Sequence, residues 1–226
     1  MFNHIKHEFP QLLQENQPDG KRLYATSTGE KYPSVTTILA DYGKEGIMEW
    51  RKKVGEEKAN QISKTATTRG TGVHAAIESY LKNEEMREYE MMPNVKSLFV
   101  QMKPELNKLN NIHCLETRLF SHELKLAGTV DCIAEYNGTL SVIDFKTSKR
   151  LKRKDQIGNY FMQGAAYATM FSELTNIPIH TVTILIGVDS ANFCQKLTVQ
   201  GLELEIYKNE LLTYRDNYFL KENLSV

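Results

Sequence analysis

The spacing of apolar and polar residues changes near residue 112. Upstream of this point the composition favours helices, whereas downstream apolar residues alternate with polar ones over short stretches, as in half-buried strands. The pattern predicts helices over 45–66, 71–82 and 94–109, strands over 112–121, 126–136 and 139–146, a helix over 157–175, strands over 179–188 and 192–199, and a helix over 202–220. This order of elements predicts an α/β domain with a central mixed β-sheet flanked by helices.

Turn-forming residues set the boundaries in the N-terminal part. Residues 21–33 predict a β-hairpin that turns at Ser27-Thr28-Gly29. Ser34 is expected to cap a short helix that ends at Ala40, because a serine hydroxyl accepts a hydrogen bond from a free N–H group at the start of a helix. The glycines of Arg69-Gly70-Thr71-Gly72 are expected to break the helical stretch around them.

The chain has no sequence feature of a domain boundary. Its 226 residues contain no internal repeat, low-complexity tract or linker rich in proline, serine or glycine. We therefore expect a single domain over 1–226. Its N-terminal hairpin and helices would occupy 1–110, and the sheet with its own helices would occupy 111–226.

The composition excludes several classes of protein. A 41% share of apolar residues is enough for a core and argues against disorder. The N-terminal segment carries Glu8 and Glu15 without an apolar signal core, and no run reaches the roughly 18 apolar residues of a membrane helix. We expect a soluble, cytoplasmic protein that does not enter a membrane. The three cysteines, Cys114, Cys132 and Cys194, form no CxxC pair and are expected to be buried thiols.

The charges of the chain cancel overall but are unevenly distributed. Lysine and arginine together number 28, as do aspartate and glutamate. The segment 146–154 nevertheless contains no acidic residue and six basic ones: Lys146, Lys149, Arg150, Lys152, Arg153 and Lys154. Such a run is often a solvated loop. Because it lies beside the hairpin described next, we expect Lys149, Arg150 and Lys152 to contact a nucleic-acid strand.

Asn137-Gly138 lies between two β-rich stretches and is a strong signal for a hairpin, because a type I′ turn requires a positive φ at both central residues. If Tyr136 pairs with Thr139, the register places Asp131 directly opposite Asp144. Like charges on opposed strand positions are destabilising. A divalent cation between the two carboxylates is therefore the expected reason for the pair.

Lys146 lies two residues after Asp144 and thus on the same face of its strand. The other neighbours on that face are apolar: Ile133, Leu140 and Val142. A half-buried site with carboxylate oxygens suits Mg²⁺ or Mn²⁺ better than zinc. The alternative is a hairpin on which Asp144 and Lys146 form only a surface ion pair. The fixed register and the apolar neighbours favour the metal site.

Two further pairs share a helix face at a spacing of four residues. His74 and Glu78 form the first pair, which is either a metal ligand with a supporting acid or two ordinary packed or solvated residues. Gln163 and Tyr167 form the second, and Tyr167 can equally be a core residue. Glu116, on the strand that precedes the hairpin, is another acid that can lie near the site.

The segment 44–69 combines basic residues with an aromatic one. It has seven basic and four acidic residues, and Trp50 stands beside Arg51, Lys52 and Lys53. Cations for phosphates and a ring for stacked bases suit a single-stranded nucleic acid. An amphipathic helix that buries Trp50 and solvates its charges is an equally good interpretation.

These segments together resemble a known family. GTVD at 128–131, IDFKT at 143–147 and the pair Gln163 and Tyr167 are similar to motifs of the PD-(D/E)XK nuclease superfamily, in particular its RecB-like branch. PSVTTIL from Pro33 and RGTGVHAAIESYL from Arg69 resemble the N-terminal motifs of that branch. The whole array, from about 33 to 170, is similar to the group of mitochondrial genome maintenance and phage exonucleases.

The resemblance implies a role for each matching residue. The implied metal ligands are His74, Asp131, Asp144 and the carbonyl of Phe145. Lys146, the third catalytic residue beside Asp131 and Asp144, would orient or activate the attacking water. Gln163 and Tyr167 would position the lysine and the substrate strand. The cysteines that hold an iron–sulfur cluster in some members have no counterparts here, so no cluster is expected.

The sequence thus predicts a Mg²⁺- or Mn²⁺-dependent DNA exonuclease that prefers a single strand with a free end. Such an enzyme would act in DNA replication or recombination, beside proteins of those processes. A structure-specific or sequence-specific endonuclease on the same fold is one alternative. A non-catalytic nucleic-acid-binding module is another, and the presence of both Asp144 and Lys146 argues against it.

Overall fold

A computed structural model describes residues 1–222 of the chain. Its strands are β1 (Leu12–Asn16), β2 (Arg22–Thr26), β3 (Lys31–Pro33), β4 (Leu109–Ser121), β5 (Leu126–Tyr136), β6 (Thr139–Ser148), β7 (Thr181–Val188) and β8 (Gln195–Gln200). Its α-helices are α1 (Val35–Ile38), α2 (Lys44–Val54), α3 (Glu56–Leu81), α4 (Pro93–Leu106), α5 (Gly158–Thr175) and α6 (Leu202–Lys221). The predicted mixed α/β fold is confirmed.

The five strands β4 to β8 form the central sheet in sequence order. Neighbouring strands are antiparallel except β6 and β7, which are parallel and are joined through α5. A parallel connection needs a long crossover, and α5 supplies it. Strand β6 consequently lies between β5 and β7 and has no exposed edge, so a polar side chain on it is drawn into the interior.

Apolar side chains on both faces of the sheet form two cores. On one face, Val142 and Val182 pack with Phe161 of α5. On the other, Ile143 and Phe145 pack with residues of α3 and α4, among them Ile77. Alternate residues of β6 therefore face opposite helical layers, as the pleat requires.

A small antiparallel sheet, β1-β2-β3, precedes the helices. The expected hairpin over 21–33 is confirmed as β2 and β3, whereas the pattern did not predict β1. Ser34 caps α1 as expected, because its side chain accepts a hydrogen bond from the Thr37 backbone N–H at 3.2 Å. Ser34 also bridges Ala127 of β5, which joins this sheet to the central one.

The expected helix break at Arg69-Gly70-Thr71-Gly72 is wrong, because those residues lie inside the continuous helix α3. The break occurs at Gly55, whose φ of 85° is accessible to glycine. Gly72 serves packing instead. A Cβ atom there would lie 2.8 Å from Val95 Cγ2, so the missing side chain permits α3 to approach α4 closely.

Helix α2 and the first part of α3, residues 44–68, form a helical arm. No residue of α2 is buried, and Arg51 at its end pairs with Glu56 of α3. Trp50 is half-buried, while Ile47 and Met48 are exposed. The arm continues directly into the part of α3 that packs on the sheet.

The three cysteines lie in the interior of the fold. Cys114, Cys132 and Cys194 are buried, free thiols, as expected. Burial raises the pKa of Cys114 to about 12, which makes this thiol a weak nucleophile. Within residues 1–222, no helix has the combination of length and hydropathy needed to span a bilayer.

We predict that Gly164→Ala destabilises the fold by about 1–3 kcal/mol, the usual cost of overpacking a core. A Cβ atom at this position of α5 would overlap Val182 Cγ1 and lie 2.9 Å from Val182 Cγ2. The control is Gly46→Ala in α2, where nothing lies within 4 Å of the added atom. Alanine there is expected to be neutral or to stabilise by up to about 1 kcal/mol. Denaturant unfolding followed by circular dichroism measures both, and equal midpoints would contradict tight packing of α5 on β7.

Candidate active site

The β5–β6 hairpin has the register that its turn predicts. Tyr136 pairs with Thr139, and the recorded ladder continues to the pair Cys132 and Ile143. Asn137 and Gly138 have φ values of 48° and 80°, as a type I′ turn requires. Asp131 and Asp144 are the next residues along the two strands.

Beyond the pair Cys132 and Ile143, the Asp131 side chain accepts a hydrogen bond from β6 in place of a backbone carbonyl of β5. Its Oδ2 atom accepts a hydrogen bond from the Phe145 backbone N–H at 2.9 Å. Only 13% of the Asp131 side chain is exposed. The carboxylate is thus fixed against β6, one residue from Asp144.

Asp144 and Lys146 form an ion pair in the interior. Lys146 Nζ donates to Asp144 Oδ1 at 2.5 Å, while Asp144 Oδ2 is buried and has no hydrogen-bond partner within residues 1–222. Burial raises the pKa of Asp144 above its ordinary value, opposed by the charge of Lys146. Burial would lower the pKa of Lys146, but the charges of Asp144 and Asp131 outweigh it and raise that pKa. The Lys146 ammonium also lies 4.9 Å from the ring centroid of Tyr160.

His74 reaches the hairpin from α3. Its Nε2 atom donates to the Phe145 carbonyl at 2.7 Å, so the neutral ring has its lone pair on Nδ1. Nδ1 lies 3.7 Å from Asp131 Oδ2 and 3.9 Å from Glu116 Oε1. Although burial favours the neutral ring, these two carboxylates raise the pKa of His74.

Glu116 joins this cluster through an unusual backbone conformation. It has a φ of 46° in the middle of β4, where an L-residue pays about 1–2 kcal/mol for the left-handed region. Flanking it, the Thr117 hydroxyl donates to the Leu115 carbonyl and accepts from the Leu115 N–H, both at 3.1 Å. Side-chain ligand atoms of His74, Glu116 and Asp131 all lie within 4.8 Å of one another. No local sequence pattern indicates this conformation, so the sequence alone predicts Glu116 only as an acid that can lie near the site.

The donor set fits a hard divalent cation. The three clustered side chains offer two carboxylates and one imidazole nitrogen. The unpartnered Asp144 Oδ2 is a buried anionic oxygen, which is costly unless a cation or a donor compensates it. Mostly oxygen ligands with a single imidazole suit Mg²⁺ or Mn²⁺.

The other predicted site residues lie around this cluster. On α5, Gln163 donates to the Tyr167 hydroxyl at 3.4 Å, and Tyr167 is buried. Lys146 also contacts Tyr160, which lies one turn before Gln163 on α5 and is a site neighbour that the sequence motifs do not indicate. On α3, Glu78 accepts from Lys82 at 2.6 Å and lines the same cleft as His74.

Arg69 was missed as an anchor of α3. It pairs with Asp189, which follows β7, and its Nη2 atom lies 3.5 Å from Thr147 Oγ1 of β6. Only 12% of its side chain is exposed. This contact holds α3 against the ends of the two parallel strands. In the segment Arg69-Gly70-Thr71-Gly72, the sequence pattern indicated a role for the two glycines but none for the arginine.

The basic run after β6 divides into paired and unpaired cations. Arg153 pairs with Asp155 at 2.8 Å, and Lys154 pairs with Glu203 at 2.6 Å. Lys149, Arg150 and Lys152 have no carboxylate within 4.0 Å among residues 1–222. The Lys152 backbone is fixed to β8 by two hydrogen bonds with the Gln195 side chain, of 2.9 and 2.7 Å. The loop thus presents its unpaired cations from a fixed backbone.

Comparison with known proteins agrees with the geometry. The mitochondrial genome maintenance exonuclease 1 of Homo sapiens is 29% identical over 129 residues, and that of Mus musculus is 29% identical over 132 residues. Each match covers 53% of this chain and 38% of the relative. The Xenopus tropicalis protein is 27% identical over 132 residues, covering 53% and 37%. The chain therefore spans less than two fifths of the length of these relatives.

A family model described as the PD-(D/E)XK nuclease superfamily matches residues 48–193, which is more than half of the chain. The matched range includes α3, the β5–β6 hairpin, α5 and the basic run. The chain belongs to the PD-(D/E)XK nuclease superfamily.

Proposed function

We propose that this protein is a Mg²⁺- or Mn²⁺-dependent deoxyribonuclease that degrades single-stranded DNA from a free end. The observation that carries the proposal is the cluster of His74, Glu116 and Asp131 beside the buried pair of Asp144 and Lys146. The exonuclease names of the matching relatives support the choice of an end-dependent activity.

The cation would be held by the side chains of His74, Glu116 and Asp131 and by the Oδ2 atom of Asp144. The Phe145 carbonyl, which already accepts a hydrogen bond from His74, is a further candidate ligand. When bound, a divalent cation lowers the pKa of a water molecule and neutralises charge on the scissile phosphate.

Lys146 acts as a cation rather than as a base. The charges of Asp144 and Asp131 raise its pKa, which favours the ammonium form, and this form donates to a water or a phosphate oxygen. Asp144 and the Tyr160 ring hold its position. A fixed charge at this point stabilises the negative charge that develops as the phosphodiester is attacked.

The N-terminal elements belong to the same nuclease domain as the sheet. They contribute His74 directly, and β3 is joined to β5 through the bridge between Ser34 and Ala127. Helix α3 carries His74 and the second part of the helical arm, so the arm is continuous in the chain with a residue of the site. The cations of the arm and the half-buried ring of Trp50 suit a single strand rather than a duplex, because phosphates need cations and unstacked bases need a stacking surface.

We predict that Mg²⁺ or Mn²⁺ raises the melting temperature, because a ligand that binds only the folded state stabilises it, by about 2.7 kcal/mol at a hundredfold excess over Kd. Asp144→Asn retains the shape of the buried group but removes the anionic oxygen, and it is expected to abolish both this shift and DNA cleavage. Asp19→Asn, a change at an exposed carboxylate paired with Lys21, is the control. Thermal unfolding with metal and with chelator measures the shift. If Asp144→Asn retains both properties, the assignment of the metal site is wrong.

We predict that neutralising Lys149, Arg150 and Lys152 together reduces the salt dependence of single-strand binding by about two units of log–log slope, at about 0.7 per phosphate. These three cations have no carboxylate partner in the part of the chain that the structure describes, whereas Arg153 and Lys154 are paired with carboxylates. Neutralising that second pair is the control, and a smaller change in slope is expected. Binding titrations over a range of salt concentrations provide the slopes. Equal slopes for the triple variant and the wild type would identify the run as a solvated loop.

We predict that linear single strands are degraded, whereas blunt duplex and covalently closed single-stranded circles resist. A strand that must pass beneath the arm needs a free end to enter. Incubation of labelled linear and circular forms of one sequence with Mg²⁺, and with chelator as control, tests this. Cleavage of circles at the rate of linear strands would instead establish an endonuclease, with the same metal cluster.

A further inference from the structure

Two clefts open on either side of the metal cluster, and Glu116 lines both of them. The first has a volume of about 520 Å³ and lies between α3 and the end of β6, with His74 and Lys146 in its wall. The second has a volume of about 230 Å³ and contains Asp131 and Arg22. The two clefts thus offer a continuous path on which a bound strand can extend from one into the other. Asp131, Gln163 and Tyr167 of the second cleft already have an expected role in binding the metal or the strand, whereas Arg22 has none.

The second cleft, named here the Arg22 cleft, is lined by one cationic side chain and by several hydroxyl groups. Arg22 is half-buried, and its Nη2 atom donates to Thr36 Oγ1 at 2.8 Å. Within residues 1–222, no carboxylate oxygen lies within 4.0 Å of its guanidinium. The guanidinium is thus oriented by a hydroxyl but is not neutralised. The hydroxyl-bearing residues of the lining are Tyr24, Ser34, Thr36, Thr129 and Tyr167.

These hydroxyl groups are held in place by their neighbours. Ser34 Oγ lies 2.7 Å from Thr36 Oγ1, and Tyr24 OH lies 3.4 Å from Thr129 Oγ1. Gly128 leaves space for the Tyr167 hydroxyl, because a Cβ atom at this glycine would lie 2.7 Å from that oxygen. The wall of the cleft is therefore formed before any ligand arrives.

We propose that the Arg22 cleft binds a phosphate group of the nucleic-acid strand, on the side of the metal cluster away from Lys146, and that Arg22 is a positioning residue. A guanidinium presents paired N–H donors that match phosphate oxygens, and Ser and Thr hydroxyls add further donors. The carboxylates of Glu116 and Asp131 at the inner end of the cleft repel an anion until a cation neutralises them. Binding of the phosphate is therefore strengthened when the metal cluster is filled. This inference rests on the proposed nuclease function and adds a second point of attachment for its substrate.

The first test compares Arg22→Gln with Arg22→Lys and with Arg87→Gln. Arg87 is exposed, pairs with Glu90 and lines neither cleft, so it is the matched control. Fluorescence anisotropy of a labelled oligothymidylate measures affinity over a range of salt concentrations, with Mg²⁺ present and with Lys146→Gln in every protein compared to prevent cleavage. Arg22→Gln is expected to weaken binding by about tenfold or more, as for a hydrogen bond to a charged group. Its salt slope is expected to fall by about 0.7, the value for one phosphate on a single strand.

The lysine variant separates charge from geometry. Arg22→Lys is expected to restore the salt slope but only part of the affinity, since lysine retains the charge without the planar fork. Thr36→Val removes the hydroxyl that orients the guanidinium and leaves the charge unchanged, so a loss of affinity at an unchanged slope is expected. These variants also keep the inference testable if Arg22→Gln fails to fold, which its melting temperature reveals. In turnover with Mg²⁺, Arg22→Gln is expected to raise KM more than it lowers kcat.

Oligonucleotides with a 5′-phosphate, a 3′-phosphate or only hydroxyl ends identify the source of the phosphate. An equal loss of affinity on all three assigns an internal phosphate to the cleft, and a loss confined to one phosphorylated end assigns the terminal phosphate. If Arg22→Gln leaves affinity, slope and KM unchanged in a protein that still binds and cleaves single strands, the inference is wrong and the proposed function stands. If the wild-type protein neither binds nor cleaves single strands, the proposed function itself fails.

Discussion

The burial of the Asp144 carboxylate on the central strand of the sheet is the constraint on which the rest of the site depends. Strand β6 lies between β5 and β7, so a charge placed there loses its water. Lys146 compensates one carboxylate oxygen, and the other has no partner among the described residues. A buried anion with an unsatisfied oxygen costs several kcal/mol unless a cation or donor approaches it. The cluster beside it has the chemistry of such a cation site.

Completing the site requires parts that the hairpin does not contain. His74 comes from α3, and Glu116 comes from β4 in a left-handed backbone conformation. Strain of this kind persists only where the surrounding structure enforces it, and it is frequent at functional sites. Two residues of α3 help to bring His74 to the Phe145 carbonyl. Gly72 allows α3 to pack closely on α4, and Arg69 holds α3 against the end of β6.

Net charge says little about where this protein would hold a strand. The chain is neutral overall, and several of its lysines and arginines are already paired with carboxylates. The cations that have no carboxylate partner within residues 1–222 differ from the others in their position. Lys149 and Arg150 follow β6, and Arg22 lies in a cleft that also contains Asp131. Association with a polyanion depends on such local fields rather than on the sum of charges.

The sequence by itself determined the features that depend on residues close together in the chain. Asn137-Gly138 permits one tight turn, and this turn sets the register up to the pair Cys132 and Ile143. Asp131 and Asp144 directly follow that pair on their strands, and Lys146 lies on the same face as Asp144. The order of helices and strands was likewise readable from the periodicity. The glycines of α3 were misread, because a glycine that breaks a helix and one that permits close packing look alike until the neighbouring helix is present. Glu116, Tyr160 and the Arg22 cleft were decided only by tertiary structure, since each joins residues that are far apart in the chain and no local pattern specifies their distances.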